Sequence, residues 1–126
     1  MAKSLADYVD EALRTVPERT WDQVAQMDGW LLMDVREPEE FELGHVPGAV
    51  NFPRGMLEVR ADLEHPKRDE RLQNRDQRII CYCAGGLRSA LAAKTLLEMG
   101  FTDAVSVRGG WTEYEKVGAP LGIDMT

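Results

Sequence analysis

Four residues, Ala84, Gly85, Gly86 and Leu87, separate Cys83 from Arg88. A cysteine attacks as its thiolate, and a free thiol with a pKa of about 8.5 is mostly protonated at neutral pH. Three features of this stretch favour the anion. Gly85 and Gly86 let the backbone turn its N–H groups inward as a cradle. An alanine- and leucine-rich helix pattern begins at Ser89, so the positive end of its dipole faces the loop. Arg88 adds a permanent cation with forked donors. The same groups suit an anionic guest for the sulfur to attack, and they suit a charged adduct on Cys83. No acidic side chain lies within the loop.

Other reactive side chains are less well placed. Cys81 belongs to the apolar run Ile79-Ile80-Cys81-Tyr82 and reads as a small buried hydrophobe. Its alternative role is a resolving thiol for an oxidised or sulfur-loaded Cys83. Zinc held by Cys81, Cys83, His45 and His65 lacks the usual ligand spacing, so no metal is expected. His45 lies in a Gly-His-Val-Pro-Gly turn and reads as a turn-stabilising hydrogen-bonding residue. As a general base it lacks a carboxylate placed by sequence to orient it. Asp34 and Arg36 follow an apolar run, at the strand end where α/β sheets open their ligand crevice. They read either as near-site support or as a local ion pair.

The elements that must position these residues alternate in type. Residues 3–14 form an amphipathic helix pattern through Leu5, Tyr8, Val9, Ala12, Leu13 and Val16, with Ser4 and Asp7 as a capping box. This stripe packs on the domain, or else meets a second copy or a partner. Pro17 ends it. Thr20 caps a helix over 21–27, and Trp30 to Val35 forms a strand whose unbroken apolar run suits burial on both faces. Pro38 opens a short helix that Gly44 stops, and Ala49 to Phe52 forms another strand. The charged segment 62–77 reads as an exposed connection with one helical turn over 68–72, after a turn around Met56, Leu57 and Val59. Arg78 to Tyr82 is a strand, Ser89 to Met99 a helix with Gly100 at its end, Val105 to Val107 a strand, and Trp111 to Val117 a last helix. Strands and helices in this order predict an α/β fold with a mostly parallel sheet.

With 126 residues, 44% of them hydrophobic and 29% charged, the chain suits one globular core. A net charge of −7 argues against nucleic acid or an anionic membrane as partner. No apolar run reaches the ~18 residues of a membrane span. The N-terminal residues do not form a secretory signal, and two cysteines one residue apart do not form a disulfide framework, so a cytoplasmic location is expected.

The chain resembles the single-domain rhodaneses, the thiosulfate sulfurtransferase family. The resemblance rests on Leu31 to Glu37, on Glu40 to Ala49, most strongly on Tyr82 to Ala93, and on Gly100-Phe101 and Gly109-Gly110-Trp111. It covers about Thr20 to Leu121, so residues 1–17 are set apart as a helical extension and 18–126 as a rhodanese-like domain. It implies a five-stranded parallel sheet between helices and a ping-pong reaction. Cys83 is then the nucleophile that becomes a persulfide, and Ala84 through Arg88 are its cradle, with Arg88 as anion contact. The donor implied is thiosulfate or another small sulfur anion; the acceptor is a thiol, cyanide or a protein. No metal or organic cofactor is implied. The loop lacks the second basic residue that some thiosulfate-using relatives carry, which points also to a protein persulfide or polysulfide as donor. Related phosphatases and arsenate reductases have a loop one residue longer, fit for a tetrahedral oxyanion. The tighter loop here favours sulfur. A relay that carries persulfide without turnover is the non-enzymatic alternative.

Overall fold

The computed structural model describes all 126 residues. Five strands form one all-parallel sheet in the order β1-β5-β4-β2-β3: β1 Glu18–Arg19, β2 Leu31–Asp34, β3 Val50–Asn51, β4 Ile79–Tyr82 and β5 Ala104–Val107. The expected α/β fold with helices on both sheet faces is therefore present. The strand missing from the sequence reading is β1, which pairs with Ser106 and Val107 of β5. It has two polar residues and no apolar run, so only its position beside a neighbour defines it.

Helices fill both faces: α1 Leu5–Leu13, α2 Trp21–Val24, α3 Pro38–Leu43, α4 Leu57–Ala61, α5 Leu87–Glu98 and α6 Gly110–Glu113. Alternation along the buried strands sorts the side chains. Met33, Ile79 and Cys81 join Leu57, Leu72, Ala92, Ala93 and Leu96 on the face covered by α4 and α5. Leu32, Ile80, Tyr82, Val105 and Val107 join Trp21, Val24 and Tyr114 on the other.

The Ser4–Asp7 capping box forms as predicted. Val9 and Ala12 of α1 pack on Ala90 of α5, while Leu5 and Tyr8 stay exposed. The predicted helix over 21–27 is a single turn that ends at Val24. The final helix begins at Gly110 and widens into a π-helix over Tyr114–Gly118.

Segment 62–77 is less of an exposed connection than its charge suggests. Its one helical turn is a 3₁₀ turn over Glu70–Leu72, and Leu72 is fully buried. Arg75 donates to the carbonyls of Ala61 (2.7 Å), Leu72 (2.8 Å) and Met99 (2.9 Å) and lies over the Phe101 ring. One guanidinium thus ties this segment to the ends of α4 and α5. Its donors go to backbone carbonyls, a use that charge patterning does not reveal.

Candidate active site

Strand β4 ends at Tyr82, which places Cys83 at the carboxyl edge of the sheet. The residue is 1% exposed, so the loop above it forms a rim over the sulfur. Two amides aim at the thiol: Gly86 N–H at 3.1 Å and Ser89 N–H at 3.4 Å from Sγ. Gly86 reaches this position with φ +99°, a left-handed turn that suits glycine. The Ser89 hydroxyl lies 3.5 Å from Sγ and 2.8 Å from the hydroxyl of Ser106 on β5, and both serines are buried. The N–H groups of Ala84, Gly85, Leu87 and Arg88 have no acceptor in the chain. Leu87 and Arg88 are among the free donors expected where a helix starts, and Ala84 and Gly85 are loop amides that precede the helix cap Gly86.

The loop is braced from behind. Trp111 N–H donates to the Cys83 carbonyl at 2.7 Å, and Thr112 N–H donates to the Ala84 carbonyl at 3.1 Å. The Gly110 carbonyl accepts from the indole N–H of fully buried Trp21 at 2.9 Å. Gly110 has φ +48°, and a Cβ there would stand 2.1 Å from the Cys83 carbonyl oxygen. Gly110→Ala therefore has to displace the Cys83 backbone. We expect a loss of about 1–3 kcal/mol of stability from overpacking, read by urea unfolding. Activity should fall further than stability, because the sulfur leaves its amide donors.

Arg88 corrects one expectation. Helix α5 begins at Leu87, two residues earlier than predicted, so Arg88 lies in its first turn. Its guanidinium is not a free cation over the loop. Nη1 and Nη2 donate to Oε1 and Oε2 of Glu40 at 2.8 and 3.2 Å. The loop itself holds no acid, but α3 delivers one beside it. Glu40 also accepts the backbone N–H of Glu37 at 3.0 Å, closing the α3 capping box. The Arg88 hydrogen bond holds the Glu40 carboxyl down at about 2, against a smaller opposing effect of burial. A depressed carboxylate stabilises the fold above its unfolded pKa, and that contribution disappears as pH falls through the folded value. The window here runs from about pH 4.5 down to about pH 2. The pair is more than a third exposed (36% and 37%), so solvent screening keeps its worth small. A carboxyl NMR titration should show Glu40 midpoint near pH 2, and the midpoint should rise in Arg88→Ala.

Asp34 and Arg36 are brought near the site but not into the cradle. Asp34 is fully buried and Arg36 4% exposed. The Arg36 Nε donates to both Asp34 carboxylate oxygens at 3.1 Å and Nη2 to Oδ2 at 2.8 Å. Nη2 also donates to the Gly44 carbonyl at 2.7 Å, and the guanidinium lies over the Trp111 ring. The pair links the end of β2 to the segment that follows α3 and to the turn behind Cys83. His45 serves its turn, with Nδ1 2.9 Å from the Phe41 carbonyl and its ring stacked on Phe41. Cys81 is completely buried, and burial drives its thiol pKa far up.

Glu40, Ser89, Ser106 and Gly110 were not singled out as site residues by sequence reasoning. Ser106 left one signal, a hydroxyl inside the apolar Val-Ser-Val strand that needs a buried partner.

Residues 17–117 match the Rhodanese-like domain. The chain belongs to the rhodanese-like family. Among curated rhodanese-like relatives, YrkF of Bacillus subtilis (strain 168), provisionally named a sulfur carrier protein, is 37% identical over 112 residues, 86% of this chain and 56% of its own. A protein of Allochromatium vinosum named Sulfurtransferase is 29% identical over 99 residues, 79% of this chain and 84% of its own. The chain spans under two thirds of the length of several other curated relatives as well. A solved structure from Rhodopseudomonas palustris superposes with a TM-score of 0.87 at 32% identity, over 94% of this chain and 93% of that one. It is described as a protein of unknown function and possible tyrosine phosphatase. No helix of this rhodanese-like chain is long and apolar enough to cross a membrane.

Proposed function

We infer that this rhodanese-like protein is a sulfurtransferase that works through a Cys83 persulfide. The observation that carries the reading is the cradle: two amides on Sγ, with four more amides of the loop and the first turn of α5 left without an acceptor. Such donors offset negative charge on the attacking sulfur and then on the added one. With thiosulfate as donor, the Cys83 thiolate attacks the sulfane sulfur. The Cys83 S–S bond forms, the S–S bond of thiosulfate breaks, and sulfite leaves with the electron pair. A thiolate or cyanide then attacks the outer sulfur and restores the Cys83 thiolate. With a persulfide R–S–SH, the same attack releases R–S⁻. In both steps the old bonding pair leaves with the departing group and the transferred sulfur keeps its oxidation level, so the chemistry calls for neither a metal nor an organic cofactor.

The name of the Rhodopseudomonas palustris structure suggests phosphatase chemistry for that protein. Here the loop between Cys83 and Arg88 is one residue short of the phosphatase pattern, and Arg88 is engaged by Glu40. A tetrahedral phosphoryl group needs more donors around it than a single sulfur atom.

Intact mass spectrometry after exposure to thiosulfate or cysteine persulfide tests the reading. A one-sulfur adduct that cyanide or a thiol removes is the expected result. No adduct, together with hydrolysis of an aryl phosphate, overturns it. An adduct that forms but is not discharged to small thiols or cyanide favours a relay that passes its sulfur to a partner.

A further inference from the structure

We propose that Glu40 is a specificity-determining residue that disfavours the dianion thiosulfate and favours less charged persulfide donors. The proposal rests on the Cys83 persulfide reading and goes beyond it to the class of donor. Thiosulfate arrives as a dianion and leaves as the dianion sulfite. Arg88 is the one cation at the loop's exit, and both its Nη atoms already bond Glu40. Oε1 of Glu40, which accepts from Arg88 Nη1, also accepts from the Glu37 N–H, and the segment after α3 is fixed by the Arg36–Gly44 hydrogen bond. The carboxylate is therefore preorganised against Arg88, not drifting past it. Glu37, Glu39 and Glu42 stand on or beside the same short helix and add charge of the same sign.

A dianion approaching Arg88 meets a guanidinium already neutralised by Glu40 and the negative charge that α3 carries. A persulfide carries at most one negative charge on its sulfurs, against the two of thiosulfate, and in the neutral form R–S–SH the sulfur that is attacked carries none. The balance is Cys83–S⁻ + R–S–SH → Cys83–S–SH + R–S⁻, so one negative charge enters the step and one leaves it. The amides of Gly86 and Ser89, already aimed at Sγ, offset that charge without Arg88's guanidinium.

The test compares the second-order rate constants for Cys83 loading by thiosulfate and by cysteine persulfide, read by quenched-flow mass spectrometry. Glu40→Gln removes the charge but keeps an oxygen for the Glu37 N–H. The ratio of the thiosulfate constant to the persulfide constant should rise about tenfold in the variant, the scale of one unit charge acting across a few ångströms at a protein surface. Raising the salt to about 0.5 M should shrink the difference between variant and wild type, because surface charge is screened. A ratio within twofold of wild type, or one that falls, overturns the proposal. Equal loss with both donors would make Glu40 merely a helix cap and overturns it too. Wild-type protein that takes sulfur from neither donor removes the persulfide reading itself, an outcome distinct from an unchanged ratio.

Discussion

Cys83→Ala should lose sulfur transfer entirely, with turnover down by on the order of 1,000-fold or more, as expected when a nucleophile is removed. No sulfur adduct should form on the variant. Cys81→Ala is the matching control. Both thiols belong to the same core cluster and differ by two residues, so they share a sheet face. Only Cys83 has amides aimed at its sulfur. Cys81 is sealed among apolar neighbours, and burial disfavours its thiolate. Cys81→Ala should therefore keep the adduct and lose about 1 kcal/mol of stability, the scale of one buried methylene. A charged sulfur on Cys81 would have no donors to face. An adduct that followed Cys81 and survived in Cys83→Ala would reverse the assignment.

The backbone of the site was legible in the sequence because its parts are local. A β-prone run, two glycines and a helix start fix where Cys83 sits and which way the amides turn. The buried strands were legible for the same reason: Leu31 to Met33 and Ile79 to Tyr82 are apolar on both faces. What the sequence hid comes from distant chain segments. Glu40 lies 48 residues from Arg88, and nothing in either neighbourhood marks the pairing. Ser106 meets Ser89 only because β5 lies beside β4. The short strand β1 and the docking of Arg75 onto three carbonyls were hidden because polar residues there satisfy backbone groups. Charge density alone reads such residues as solvent-facing. The two open readings of Asp34 and Arg36 share one answer in geometry: they form an ion pair, and that pair supports the segment behind the site.

That pair should show the largest single-residue effect on stability. Asp34→Ala leaves the Arg36 guanidinium buried with one carbonyl partner, Gly44, and a ring face. Breaking a buried pair from one side typically costs about 3–5 kcal/mol, because the remaining charge is uncompensated. Against a total stability of about 5–15 kcal/mol for a domain, that is a large share. The loss should appear as a lower urea midpoint. Removing both charges should cost less than removing one. In Asp34→Ala/Arg36→Met the methionine stem fills part of the space against Trp111, and no charge is stranded. A double-mutant cycle of thermal or urea unfolding should then give a coupling of about 2 kcal/mol or more between the two positions. Additive losses would mean that each side chain acts alone. Sulfur loading separates stability from positioning. Arg36 fixes the segment that follows α3, and α3 carries Glu40 to Arg88. A double variant that regains stability should therefore keep Cys83 reactive, since the cradle comes from the loop and α5. It should also discriminate less between thiosulfate and persulfide, because the carboxylate that confronts Arg88 is no longer held from below.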